Sequence, residues 1–409
     1  MDRIEEMIRR AEDALRGRFA EVDGNEEART RQVLDAFRKY GVSYRHFSPS
    51  TGYGYDDIGR DTLEKVYAEI FHTEAALMRP HVASGTAALA LTLSGLTRPG
   101  ERILSATGMP YDTLLGVIGI GDNPPPGSLK EMGVGFDCVE LKDGKIDADA
   151  VEAALTEKTT LVIAQRSRGY AWRPSLFPEA FAELAERLHA RHPGVLLMVD
   201  NCYGEFVCAD EPTDYGADVC VGSLIKNPGG GIAPTGGYVA GSLAAVERIA
   251  SRLTAPGLGR ELGSYAASYR PFYQGLFMAP HTVAQALKTA LLAARLFEDM
   301  GLATTPASSE KRADIIQAIR MEKPERLVAF CQGLQSASPV DSMAMPEPWD
   351  MPGYEDQVVM AAGTFVAGAS IELSADGPMR PPYTAYMQGG LTYAHGRIAL
   401  AEALRRMQE

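Results

Sequence analysis

Apolar residues in the middle of the chain fall into two rhythms. Short, mainly apolar runs at 75–78, 102–106, 161–165, 195–199 and 219–223 have the length and composition of buried strands. Helix-like segments lie among them at 87–93, 147–155 and 178–189. The turn Arg98-Pro99-Gly100-Glu101 precedes the second run. Apolar strands alternating with helices predict a mostly parallel sheet covered on both faces. A long apolar-periodic helix over 279–300 reads as a bridge between two lobes, and amphipathic helices are expected at 2–20 and 396–407. The pattern divides the chain into an N-terminal helical arm (1–50), a large α/β domain (51–290) and a smaller α+β C-terminal domain (291–409).

Composition narrows the class. With 409 residues, 45% of them hydrophobic, the chain has ample material for two buried cores. A net charge of −13 with no long basic run argues against nucleic acid and against an anionic membrane surface as partners. No run of 18 apolar residues is present, so no membrane span is expected, and the start lacks an apolar signal core. Five cysteines, an odd number spread from Cys138 to Cys331, suit reduced thiols in a cytoplasmic protein better than a disulfide framework. Cys202 and Cys208 lack a second ligand pair, so no metal is expected. There is no P-loop, no Gly-x-Gly-x-x-Gly opening a helix and no Gly-x-Ser-x-Gly elbow.

Ligand chemistry in such sheets gathers beyond the carboxyl ends of the strands, and three segments fall there. Ser84-Gly85-Thr86 opens a helix, where free backbone N–H groups, two hydroxyls and the helix dipole suit a phosphate dianion. An ordinary N-cap is the other reading. Asp200 ends an apolar strand in Met198-Val199-Asp200-Asn201-Cys202-Tyr203. A carboxylate buried there needs a partner, and a pyridinium N–H is one; a structural cap on the next element is another. Lys226 follows the strand 219–223 and precedes Asn227-Pro228-Gly229-Gly230-Gly231. Desolvation at the floor of a cleft lowers an amine's pKa and readies it for imine formation, whereas a lysine on a flexible loop would stay solvated. Ser223 adds a hydroxyl beside it.

Phosphate turn, then acid, then lysine is the order found in fold-type I enzymes dependent on pyridoxal 5′-phosphate (PLP), and the chain resembles that group over 50–300. Within it, Val199-Asp200-Asn201-Cys202 is similar to the Val-Asp-Asn-Thr of the Cys/Met-metabolism branch, the cystathionine and methionine lyases. More closely still, the chain resembles the aluminium-resistance, or methionine γ-lyase-like, proteins. This resemblance is carried by Ser50-Thr51-Gly52-Tyr53-Gly54-Tyr55, Gln165-Arg166-Ser167-Arg168-Gly169-Tyr170, 223–231 and 370–377.

The resemblance implies a PLP Schiff base on Lys226, with Ser84, Gly85, Thr86 and Ser223 at the phosphate and Asp200 at the ring nitrogen. Cys202 lies beside them, and Tyr111, after Ile103-Leu104-Ser105, matches the tyrosine that stacks on the ring. Tyr55 and Arg60 match residues that reach a neighbouring subunit's cofactor, which implies a homodimer or homotetramer; an aromatic loop packed on its own body is the alternative. For the α-carboxylate of an amino-acid substrate the candidates are Arg380, in a Pro/Gly loop, and its rivals Arg166 and Arg168. Cys202 stands where the lyases have Thr, and Thr113 where methionine γ-lyases have Cys; these departures bear on γ-elimination from methionine rather than on cofactor binding. The expected activity is β- or γ-elimination from a sulfur amino acid, releasing thiol, 2-oxo acid and ammonia. An aminotransferase, or a PLP-binding protein without turnover, is the alternative.

Overall fold

Strands and helices alternate through the large domain as their apolar rhythm predicts. The computed structural model describes residues 3–121, 123–351 and 354–408; Asp2, where the expected first helix begins, lies outside them. Helices α1 (Arg3–Lys39) and α2 (Ile58–Ile70) lead into strand β1 (Ala75–Arg79) and helix α3 (Gly85–Leu96). Then come β2 (Arg102–Ser105), α4 (Asp112–Ile118), β3 (Gly135–Cys138), α5 (Ala148–Ala154) and β4 (Thr159–Gln165). They are followed by α6 (Ala182–Arg191), β5 (Leu196–Asp200), β6 (Val219–Ser223), β7 (Gly237–Gly241) and α7 (Leu243–Leu253). The long α8 (Arg270–Asp299) leads to β8 (Thr304–Thr305), β9 (Gln317–Arg320) and α9 (Pro324–Ser336). Strands β10 (Val358–Ala361), β11 (Ser374–Pro378) and β12 (Thr384–Gln388) precede α10 (Tyr393–Arg406).

The first sheet has seven strands in the order β1-β7-β6-β5-β4-β2-β3. Strands β6, β5, β4, β2 and β3 pair in parallel, and β7 runs antiparallel to both its neighbours. Successive side chains leave the sheet on opposite faces. Ile103, Leu161, Ile163, Met198 and Val219 join Leu89, Leu93, Val246 and Ile249 in one layer. Leu104, Val162, Leu197, Val199 and Cys220 join Phe181, Leu184 and Leu188 in the other. Both faces are covered, which is why these strands read as mainly apolar runs. The second sheet has five strands, order β10-β11-β12-β9-β8, all antiparallel.

Two helices run longer than their sequence pattern suggests. The stripe Ile4, Ile8, Ala11, Leu15 resumes as Arg29, Val33 and Ala36, so α1 continues through Gly24 well past residue 20. Its first turns pack in the C-terminal core and its last in a core beneath α2 and β7. Helix α8 starts at Arg270 and contributes Phe272, Tyr273 and Leu276 to that same core, while Leu292, Leu296 and Phe297 join the C-terminal one. The segment 178–189 divides into a 3₁₀ turn, Pro178–Phe181, and α6.

Candidate active site

The carboxyl ends of β4, β5 and β6 open into a cavity of about 630 Å³. Asp200 is the last residue of β5, and Oδ1 accepts the Cys202 N–H at 3.1 Å. Burial pushes its carboxyl above the ordinary value, and Lys226 opposes this. Lys226 lies just beyond β6, with Nζ 4.0 Å from the centroid of the Tyr203 ring. Burial disfavours its ammonium, but Cys202, Tyr203, Asp200 and Tyr111 outweigh that and hold it well above the usual lysine range. The downward shift expected from desolvation is therefore not produced by the protein groups, because acidic groups surround the amine on several sides. Tyr203 (φ +71°) and Phe206 (φ +64°) are bulky residues in the left-handed region. Ile315 N–H donates to the Tyr203 carbonyl at 3.2 Å, and the Arg29 guanidinium lies 5.0 Å from the Phe206 ring centroid.

Helix α3 presents its first turn to the end of β6. Ser84 caps it, its hydroxyl accepting the Ala87 N–H at 3.0 Å. A Cβ on Gly85 would lie 3.2 Å from Ser223 Cβ and 3.7 Å from Cys202 Sγ, so a side chain there would crowd the junction. Ser223 is fully buried, and its Oγ has no hydrogen-bond partner among the described residues. An unsatisfied buried hydroxyl beside free helix N–H groups suits a phosphate oxygen. Thr86 Oγ1 lies 3.1 Å from the Tyr111 hydroxyl and 3.2 Å from Thr113 Oγ1. Tyr111 N–H donates to Gln165 Oε1 at 3.1 Å. Burial, reinforced by Asp200, raises the phenol above its ordinary range.

The five basic and aromatic candidates separate. Arg168 lines the cavity and is 2% exposed; Nη1 donates to the Thr305 carbonyl at 2.9 Å, while Nε and Nη2 have no partner among the described residues. Those two nitrogens form the side-on edge of a guanidinium, the edge that forks a carboxylate. Arg380 also lines the cavity, but it is half-exposed and pairs with Asp356 at 2.7 Å. Arg166 faces the interior instead: Nε donates to the Leu176 carbonyl at 3.2 Å and Nη1 to Asn201 at 2.7 Å and Glu211 at 3.4 Å. Two residues apart on an extended loop, Arg166 and Arg168 point to different surroundings. Arg60 is likewise turned inward, bonded to the Gly54 carbonyl at 2.8 Å and to Asp61. Tyr55 is exposed and stacked on Tyr53, ring centroids 5.5 Å apart.

Several cavity residues carry no signal that singles them out in the sequence. Tyr203 follows the acid by three residues, and Tyr170 and Asp376 sit inside the segments that carry the family resemblance, yet neither spacing nor residue type marks their role. Tyr354 and Tyr386 come from the C-terminal region. Below the site, Glu211 binds Arg29, Asn201 and the Phe206 N–H. Among the described residues, no group of three or more His, Cys, Asp or Glu could hold a metal ion, and no helix is long and apolar enough to cross a membrane.

Comparison with known proteins places this geometry in a family. A family model described as methionine gamma-lyase matches residues 4–408. An uncharacterized protein of Bacillus subtilis (strain 168), YnbB, is 51% identical over 379 residues, 92% of this chain and 90% of that protein. The crystal structure of a carbon-sulfur lyase involved in aluminum resistance from Clostridium novyi NT superposes with a TM-score of 0.95 at 48% identity, covering 99% of this chain and 96% of that one. The L-methionine gamma-lyase of Pseudomonas putida is 30% identical over 201 residues, 48% of this chain and 45% of that protein. The architecture is the fold-type I arrangement, a large mixed-sheet domain with a smaller C-terminal sheet domain.

Proposed function

The chain belongs to the methionine γ-lyase family, and from that premise we propose that it is a PLP-dependent carbon–sulfur lyase acting on a sulfur-containing amino acid. The observation that carries this reading is the meeting of an unpartnered buried hydroxyl, Ser223, with the first turn of α3, beside Asp200 and Lys226 at the ends of adjacent parallel strands.

When bound, PLP withdraws electrons from the substrate's Cα, which makes the proton there acidic and lets a sulfur substituent further along leave as thiol. The residues of this chain that would hold it are the α3 first turn and Ser223 at the phosphate, Asp200 at the ring nitrogen and Lys226 at the aldehyde carbon. A hydrogen-bonded partner at Asp200 offsets the cost of burying its charge. Lys226 Nζ, in its neutral form, would be the base that takes and returns the Cα proton. Tyr111, protonated and with its hydroxyl beside Thr86, would be the group positioned to donate to the departing sulfur. Arg168 offers Nε and Nη2 to the α-carboxylate.

The test compares wild-type protein with Lys226→Ala after incubation with PLP. The wild type is expected to show the visible absorbance of a lysine-bound cofactor, to retain the cofactor on the Lys226 peptide after borohydride reduction, and to release 2-oxo acid from a thioether amino acid. Undiminished absorbance in Lys226→Ala would overturn the attachment site. A coloured wild-type protein that releases no 2-oxo acid from any sulfur amino acid would overturn the lyase reading.

A further inference from the structure

The C-terminal sheet gives one face to a core and the other to the cavity. Ala375, Ala361, Ile319, Ala385 and Met387 pack with the helices of that lobe. On strands β11 and β12, Asp376 stands directly across from Tyr386, and Ser374 across from Gln388, which sets these side chains on one face. Asp376, Tyr386 and Gln388 line the cavity together with Tyr170 and Tyr354. The Tyr170 ring centroid is 5.0 Å from that of Tyr386 and 5.7 Å from that of Tyr354. The Tyr386 hydroxyl donates to the Tyr170 carbonyl at 2.5 Å, which fixes one ring against the other.

Asp376 is the unexplained member of this wall. Its Oδ1 is buried without a hydrogen-bond partner among the described residues. Among the described residues no cation lining the cavity pairs with Asp376: Arg380 pairs with Asp356, Lys226 lies over Tyr203, Arg173 donates to the Gln165 carbonyl at 3.1 Å, and Arg168 gives Nη1 to Thr305 while keeping Nε and Nη2 unpartnered. The residue is partly exposed to the cavity, so Oδ1 is an acceptor within reach of a ligand there, and a carboxylate with no cation beside it favours a ligand that brings one. Burial raises its carboxyl to about 7, although hydrogen bonding by Tyr170 and Gln388 to the carboxyl pulls the other way and leaves Oδ1 as the open acceptor. A carboxylate beside clustered aromatic rings is the arrangement that recognises an ammonium group, by charge and by the negative faces of the rings.

We propose that Asp376, with Tyr170, Tyr354 and Tyr386, forms a subsite for a second, distal ammonium group, so that the favoured substrates are thioether amino acids whose far end is an amine. This rests on the reading of the cavity as the amino-acid site of a lyase. The α-carboxylate goes to the arginine edge and the distal ammonium to Asp376, so a substrate that carries a methyl group in place of the amine leaves Asp376 unpaired.

The experiment uses PLP-loaded protein and two matched pairs. S-(2-aminoethyl)-L-cysteine and S-propyl-L-cysteine differ only by ammonium for methyl, and so do L-lysine and L-2-aminoheptanoate, which carry no sulfur leaving group and report binding by calorimetry. The wild type is expected to favour the amine of each pair by about tenfold or more, in kcat/KM for the first and in Kd for the second. Asp376→Asn, close in shape, should bring both ratios toward one, and Tyr354→Leu should lower them in part. Wild-type ratios near one, or ratios preserved in Asp376→Asn, would overturn the subsite. Cleavage of both cysteine derivatives without preference would leave the lyase reading standing while the subsite fails. Preferential lysine binding with neither thioether cleaved would do the reverse.

Discussion

Glu205 shows how much a single buried carboxyl governs. It is fully buried; Oε1 accepts the Tyr238 hydroxyl at 3.0 Å and Oε2 has no partner among the described residues. Burial lifts its pKa from 4.5 to about 8, reinforced by Glu211 and opposed by Tyr238 and Lys226. Between those two values the folded chain holds a proton that the unfolded chain has released. Stability therefore falls as pH rises through that window, by up to about 1.4 kcal/mol per pH unit. Glu205→Gln removes the penalty. Its Tm measured by calorimetry should match the wild type near the acidic end of the window and exceed it increasingly towards the alkaline end; parallel Tm curves would show that Glu205 is ionised throughout. At this scale the sequence was informative about residue type but not direction. Asp200 and Lys226 were legible because each follows a buried strand. The inward turn of Arg166 and Arg60, and the cavity-facing edge of Arg168, were not, since a loop residue's orientation follows from what packs on it.

Among the elements, α8 and the loop after β6 depend on each other. A Cβ on Gly275 would lie 2.3 Å from the Gly229 carbonyl oxygen, and Gly230, at φ +56°, sits against the Gly275 carbonyl. Thr282 Oγ1 donates to the Gly230 carbonyl at 3.1 Å. The glycines after Lys226 thus allow a helix to seat directly on the lysine's loop, besides making the turn. Gly275→Ala forces helix and loop apart, with an expected loss of about 1–3 kcal/mol in urea denaturation and faster release of bound PLP. Unchanged stability together with unchanged retention would show that the loop yields without moving Lys226. The sequence pattern marked α8 only from Ala279, because Pro280 reads as the first-turn proline of a helix, whereas it lies inside one whose buried stripe already runs through Phe272, Tyr273 and Leu276.

For the molecule as a whole, α1 and α8 each reach both cores and so couple the lobes that frame the cavity. One tie of α1 to the large domain is the buried pair of Arg29 with Glu211, which also binds Asn201, the residue after Asp200. Removing Arg29 leaves Glu211 with Arg166, 3.4 Å away, as its remaining cation. Arg29→Ala is expected to cost about 1.5–3 kcal/mol in urea-induced unfolding, the loss of a charged hydrogen bond; a loss below about 1 kcal/mol would show that Arg166 or water takes over at Glu211.

The sequence by itself determined the order of elements, the covered mixed sheet with its smaller companion, and the succession of Ser84, Asp200 and Lys226 along the chain. These are local properties: a strand buried on both faces must be apolar throughout, and a functional group placed at its end is separated from it by a few residues. Only the tertiary structure decided which arginine edge opens to the cavity, how far α1 extends, and that Asp376 shares a wall with Tyr170, Tyr354 and Tyr386. Those residues are brought together by pairing between strands and by the closure of one lobe on the other, contacts between distant segments that no local periodicity records.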